Sequence, residues 1–134
     1  MREIKFRGKD FSGVWHYGHF YIEAVEIDAL GFEYVSFIKE VYGDHFKDYD
    51  VDPETVGQFT GLHDKNGREI YENDIVKADH HNPKNYRIEF LEGGFCGAWN
   101  NGEGFPIDIN HFYDSTGCCI EVVGTFHENP ELLK

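Results

Sequence analysis

A chain of 134 residues with 12 Lys and Arg against 25 Asp and Glu carries a formal net charge of −13. Such a surface repels phosphate backbones, so direct nucleic-acid binding is not expected. No apolar run approaches the ~20 residues that cross a bilayer, which excludes a membrane helix as the reading of any segment.

The chain is long enough for one domain with a core that needs no disulfide staples. Twelve Phe and eight Tyr, with 15 Gly and only 4 Pro, predict short strands joined by tight turns around an aromatic core. Residues Arg2–Arg7 alternate Ile4 and Phe6 with charged side chains, the period of a half-buried strand. Asp10-Phe11-Ser12-Gly13 signals a turn, and Val14–Ile22 reads as the returning strand of an N-terminal hairpin. Residues 23–30 fit either a short helix or a strand. Phe32–Ile38, rich in aromatic and β-branched residues, reads as a strand.

The stretch Lys39–Glu54 holds two lysines against six carboxylates and reads as a solvated loop. Any division into lobes falls here, giving an N-terminal lobe 1–50 and a β-barrel lobe 51–134. Asp64-Lys65-Asn66-Gly67 then predicts a two-residue type I′ turn at Asn66-Gly67, with arms Gln58–His63 and Arg68–Tyr71. Asp74 is expected to fix the reversal that starts the strand at Ile75. A polar loop at residues 79–85 precedes an alternating strand Tyr86–Leu91. A glycine-bearing turn and a further strand follow at Glu92–Trp99. Residues 100–105 read as loop, and Phe105–Phe112 as a short helix or bent strand. Cys119–Phe126 closes the sheet, with Pro130 starting a final turn. The fold class is mostly β: an N-terminal hairpin plus a small SH3-like barrel.

Across nearly the whole chain the segments resemble the YopX family. The resemblance rests on Met1–Arg7, Trp15-His16-Tyr17-Gly18, Val56–Leu62, Asp64-Lys65-Asn66-Gly67, Ile70–Val76 and Ile120–Leu132. It implies a single β-rich YopX-like domain, a setting in bacteriophages or prophages, and self-assembly. The family has no established activity, so no catalytic residue transfers. The chain departs from the family after its first strand. Gly8-Lys9-Asp10 stands where an aromatic-acidic pair is usual.

Chemical motifs are sparse. An EF-hand reading of the central run places Leu62 at the first ligand position and Asn73 at the twelfth, where Glu belongs. His16 and His19, three apart on a strand, point to opposite faces. Asp79, His80 and His81, or Cys118 and Cys119 with His111, lack paired metal-ligand spacing. Gly93-Gly94 and Gly102-Glu103-Gly104 lack the context of a phosphate loop. No serine sits in a nucleophile elbow. No catalytic, metal or cofactor residue is therefore assigned.

The remaining candidate is an acidic-aromatic interaction patch: Tyr42, Asp44, Phe46, Asp48, Tyr49 and Asp50. Three readings follow. The first is a non-enzymatic phage or prophage accessory protein of the host cytoplasm, acting by protein–protein contact with an unidentified host or phage protein and by homo-oligomerisation. The second is an acidic decoy of a host nucleic-acid-binding protein. The third is a small enzyme using Cys96 or the His80/His81 cluster. The odd cysteine count, with Cys118 and Cys119 adjacent, fits a reducing, intracellular setting.

Overall fold

Period-two alternation and frequent turn residues lead to strands almost throughout. The computed structural model describes residues 3–78, 85–99, 106–114 and 117–133. Among them the helical segments are short 3₁₀ turns at Pro53–Thr55, Ile109–Phe112 and Pro130–Leu133. The chain is mostly β and divides into two compact units, the break falling after Phe59.

The first unit is an antiparallel sheet. It holds β1 (Phe6–Lys9), β2 (Trp15–Asp28), β3 (Gly31–Tyr42), β4 (His45–Val51) and the start of β5 (Gly57–His63). Their order is β4-β3-β2-β1-β5. The β1–β2 turn forms because Asp10 Oδ1 accepts the N–H groups of Ser12 and Val14, each at 2.9 Å, while Gly13 takes φ +92. Ile38 and Val51 are the buried apolar centre of this unit. They explain Gly8, because a β-carbon there would lie 2.9 Å from Val51 Cγ2 and 3.2 Å from Ile38 Cγ1. Gly18 is tighter still, since its β-carbon would fall on the carbonyl oxygen of Lys39. Gly18→Ala must push β2 away from β3, and a loss of about 3 kcal/mol in unfolding free energy is expected from chemical denaturation.

The acidic stretch 39–54 is not the solvated loop its charge suggested. Lys39–Tyr42 completes β3 and His45–Val51 forms β4, with Tyr42 opposite His45 and Ser36 opposite Val51. Gly43, at φ +63, makes the tight turn. Residues 45–51 read as loop because each face of this strand mixes charged and apolar residues and only Val51 at its end is buried. Period-two burial was therefore not available as a signal. Residues 23–30 complete the β2–β3 hairpin, with a bulge between Glu26 and Asp28.

The second unit contains the rest of β5, β6 (Glu69–Tyr71), β7 (Asp74–Ala78), β8 (Asn85–Leu91), β9 (Gly94–Ala98) and β10 (Ile107–Asp108). The short strands β11 (Tyr113–Asp114) and β12 (Gly117–Cys118) follow, and β13 (Ile120–Thr125) ends the series. A β7–β8–β9 meander is closed by β13 against β7, in the order β10-β9-β8-β7-β13. It packs around Ile70, Val76, Tyr86, Ile88, Phe112 and Ile120. The segment read as helix or bent strand is both: β10, then the 3₁₀ turn at Ile109–Phe112.

Two turns carry this unit. The hairpin at Asp64–Gly67 is present, but not as type I′. Of its two central residues only Gly67 has positive φ, at +82. Asp64 is the reason. Its Oδ1 accepts the N–H groups of Asn66 and Arg68, which bends the chain so that Gly67 N–H reaches Asp64 O at 3.0 Å. A turn with both central residues at positive φ occurs instead at Glu92 (φ 50) and Gly93 (φ 82), as the I′ geometry requires. At the second reversal Asn73 takes φ 73, and fully buried Asp74 accepts Tyr71 N–H at 2.7 Å through Oδ2. Arg87 binds Asn73 Oδ1 through Nε and Nη2 and stacks 3.6 Å from the Phe126 ring centre. The run Ile70–Val76 is thus scaffold.

Candidate interaction surface

Strand pairing sets what the first unit presents. β1 pairs with β2 only over Trp15–Gly18, and β4 pairs with β3 only from Ser36 onward. Beyond these limits β2 and β3 continue as a two-stranded arm out to the turn at Asp28–Gly31. Such a ribbon cannot bury an apolar face on its own. Yet this one carries Ile22 (58% exposed), Phe32 (67%), Tyr34 (80%) and Leu30 (92%), with Val25 and Ile27 also exposed. Alternation puts Ile22, Ala24, Phe32 and Tyr34 on one face, since Ala24 lies opposite Tyr34 and Glu26 opposite Phe32. Its charged residues from Phe20 to Val35 are Glu23, Glu26, Asp28 and Glu33, with no Lys, Arg or His. A contiguous apolar surface rimmed by one sign of charge is the pattern of a docking surface.

The six residues of the sequence-derived patch all lie on or beside β4, but the pleat divides them. Phe46, Asp48 and Asp50 share one face, whereas Tyr42 and Tyr49 share the other; Asp44 is exposed in the turn between strands. Several are engaged within the unit. Tyr42 donates to Glu40 Oε2 at 2.9 Å, which pushes its hydroxyl up to about 12. Tyr21 is pushed up to about 12 by burial first and then by its hydrogen bond to Asp48. Lys39 Nζ sits 4.5 Å from the Phe46 ring centre. The sequence missed the arm because residues 23–30 fit two periodicities. Its readable signal was four carboxylates interleaved with large apolar residues and no cation.

On the Tyr49 face lies a buried polar cluster. His16 stacks on Tyr49 with ring centres 3.6 Å apart. Its Nε2 lies 2.7 Å from Asp10 Oδ2 and its Nδ1 2.8 Å from Glu40 Oε1. Both neighbours are carboxyl groups, so each ring nitrogen that carries a proton donates to the one it faces. The His16 bond, then the Val14 N–H, hold the Asp10 carboxyl below its ordinary value. The cluster pins the β1–β2 turn to β3. His19, exposed, points to the opposite face, as its spacing predicted. His16→Ala strands two carboxylates against a buried gap. An expected loss of about 2 kcal/mol is measurable by urea unfolding, and His16→Gln should recover part of it.

Cys96 is buried. Burial first, then the carboxylates of Glu89 and Asp108, push its thiol up, the opposite of what activates a thiolate. It borders an open depression with Phe95, Pro106 and Asp108. Cys119 donates to Phe112 O through Sγ at 3.1 Å. His80 and His81 lie outside the described residues. Among the described residues no group of three or more His, Cys, Asp or Glu is placed to hold a metal ion. Nor is any helix among them long and apolar enough to cross a membrane.

Comparison with known proteins agrees with the architecture. No curated protein matches the chain. Among solved structures, protein EF1440 from Enterococcus faecalis superposes with a TM-score of 0.52 at 23% identity, covering 100% of both chains. That likeness extends to the fold. The YopX family model, described as YopX protein, matches residues 5–134, and the chain belongs to the YopX family.

Proposed function

We propose that this chain is a non-enzymatic accessory protein of a phage or prophage that works in the host cytoplasm through protein–protein contacts and self-association, with the β2–β3 arm as the contact surface. The observation that supports this reading is the arm itself, where Ile22, Leu30, Phe32 and Tyr34 stand in solvent on a ribbon with no core beneath them. Burying large aromatic and aliphatic side chains of this kind supplies most of the energy of a typical interface. Near the β3–β4 turn Val41 and Phe46 are exposed on one face and Tyr42 on the other. Light scattering over a concentration series tests the reading. Oligomers that dissociate on dilution support it, and a monomer at every concentration removes self-association.

The acidity favours a second reading for a foreign partner. An arm with four carboxylates and no cation suits a basic surface, as an acidic decoy would require. Binding of that kind weakens as salt rises, whereas apolar self-association between like-charged copies strengthens.

A further inference from the structure

We propose that the outer edge of β2 pairs antiparallel with the same edge of a second copy, about a two-fold axis at Ala24. The inference rests on the self-association reading and names its contact. Among the described residues no strand pairs with this edge from His19 to Asp28, because β1 ends its cover at Gly18. The corresponding open edge of β3 is shorter, Gly31–Val35, because β4 pairs from Ser36. An exposed strand edge offers unpaired N–H and C=O groups to another chain unless charge, proline or a bulge blunts it. Here the bulge lies only at the tip, no proline interrupts residues 19–28, and the acidic charges on the edge are Glu23, Glu26 and Asp28, which each pairing register must keep apart.

The geometry selects the register. Opposed residues on two identical antiparallel edges must turn their hydrogen-bonding groups either both toward the seam or both away from it, so a residue, not a gap between residues, lies on the axis. An axis at Ile22 or Glu23 carries the tip of one arm into the lane that β1 holds beside Gly18 of the second copy. Glu23 on the axis would also face itself. An axis at Val25 limits the overlap to Ile22–Asp28, against Phe20–Asp28 for Ala24, and both registers reach the bulge near Ile27. Ala24 is left. There Glu23 lies opposite Val25, Ile22 opposite Glu26 and Tyr21 opposite Ile27 of the other copy. No carboxylate directly faces another, the arrangement that would be destabilising. On that face Ala24 of each copy meets Ala24 of the other, Ile22 stands beside Glu26, and Phe32 and Tyr34 flank them on β3. Because each copy carries −13, added salt should tighten the pair.

Single-cysteine cross-linking reads the register directly. Opposed α-carbons at Ala24 would be ~5 Å apart, within disulfide reach. At Glu23 or Val25 each residue would be ~8 Å from its own copy, outside it. Under mild oxidation, with peptide mapping to identify the bond, Ala24→Cys should give the inter-chain Cys–Cys species as the main product, and Glu23→Cys and Val25→Cys should not. Amide exchange provides a second readout that needs no substitution: protection across Ile22–Glu26 should rise with protein concentration. If light scattering shows an oligomer but Ala24→Cys cross-links no better than its neighbours, the pairing is wrong and self-association stands. A monomer without cross-links removes both. Protection of the same amides by a synthetic peptide of alternating Lys and Val, but not by concentration, assigns the edge to a foreign basic strand and overturns the proposal.

Discussion

Asp64→Ala is expected to lower the unfolding free energy by about 3 kcal/mol, among the larger single-residue effects in the second unit. The carboxylate is buried and accepts three backbone N–H groups. Asn66 and Arg68 donate to Oδ1, and Val122 donates to Oδ2, each at 2.9 Å. One side chain thus shapes the hairpin turn and fastens it to β13. Alanine leaves buried donors without an acceptor, which costs more than the net worth of the bonds. Asp64→Asn should recover only part, because its amide nitrogen must face at least one of those donors. The pH dependence has a definite sign. Burial raises the Asp64 carboxyl, but the three N–H groups and Arg68 outweigh it, and the net shift is downward. A lowered folded-state value contributes stability above the unfolded value, and loses it as pH falls through the folded one. The gap between wild type and Asp64→Asn in urea unfolding should therefore narrow in acid.

The second large effect concerns association. Phe32→Lys places a cation on the exposed apolar face of the arm that is proposed as the contact surface. A buried interface aromatic is worth about 2 kcal/mol when removed, and a symmetric pair counts the change twice, so self-association should weaken about 1,000-fold. The unfolding transition of the isolated chain should barely move, since Phe32 is 67% exposed. Sedimentation measures the first and circular dichroism the second. A parallel loss of both would mean that Phe32 supports the fold and not a contact.

Much of the architecture was written in local pattern. The Asp10–Gly13 turn and the hairpin around Asp64 are each encoded within a few residues by Asx hydrogen bonding, whereas the Arg2–Arg7 alternation misplaced the first strand, which runs Phe6–Lys9 with Arg7 buried and Ile4 exposed. What the local pattern misjudged has specific causes. Asn66-Gly67 has the composition of a type I′ turn, but the Asp64 carboxylate takes the N–H groups of Asn66 and Arg68, and only Gly67 adopts positive φ. β4 looked like a loop because Lys47, Asp48 and Asp50 alternate with Phe46 and Tyr49 on a strand with little burial on either face. The His16 cluster was beyond reach, since Glu40 is 24 residues away and meets His16 only through the β2–β3 pairing. The Gly8-Lys9-Asp10 departure from the family gains a local meaning. Gly8 admits Val51 and Ile38, and Asp10 holds both the turn and His16. The residues of the sequence-derived patch fall on the β3–β4 hairpin. Strand alternation then splits its members, and the larger apolar surface lies on the neighbouring arm.

The central claim is that the β2–β3 arm mediates self-association. Multi-angle light scattering of the full chain and of Phe32→Lys, across concentration and at low and high salt, tests it most directly. A contact through the β2–β3 arm gives a wild-type oligomer that grows with concentration and salt, and a Phe32→Lys chain that stays monomeric while keeping its fold. A monomeric wild type under all these conditions, or a Phe32→Lys chain that associates as the wild type does, would contradict it.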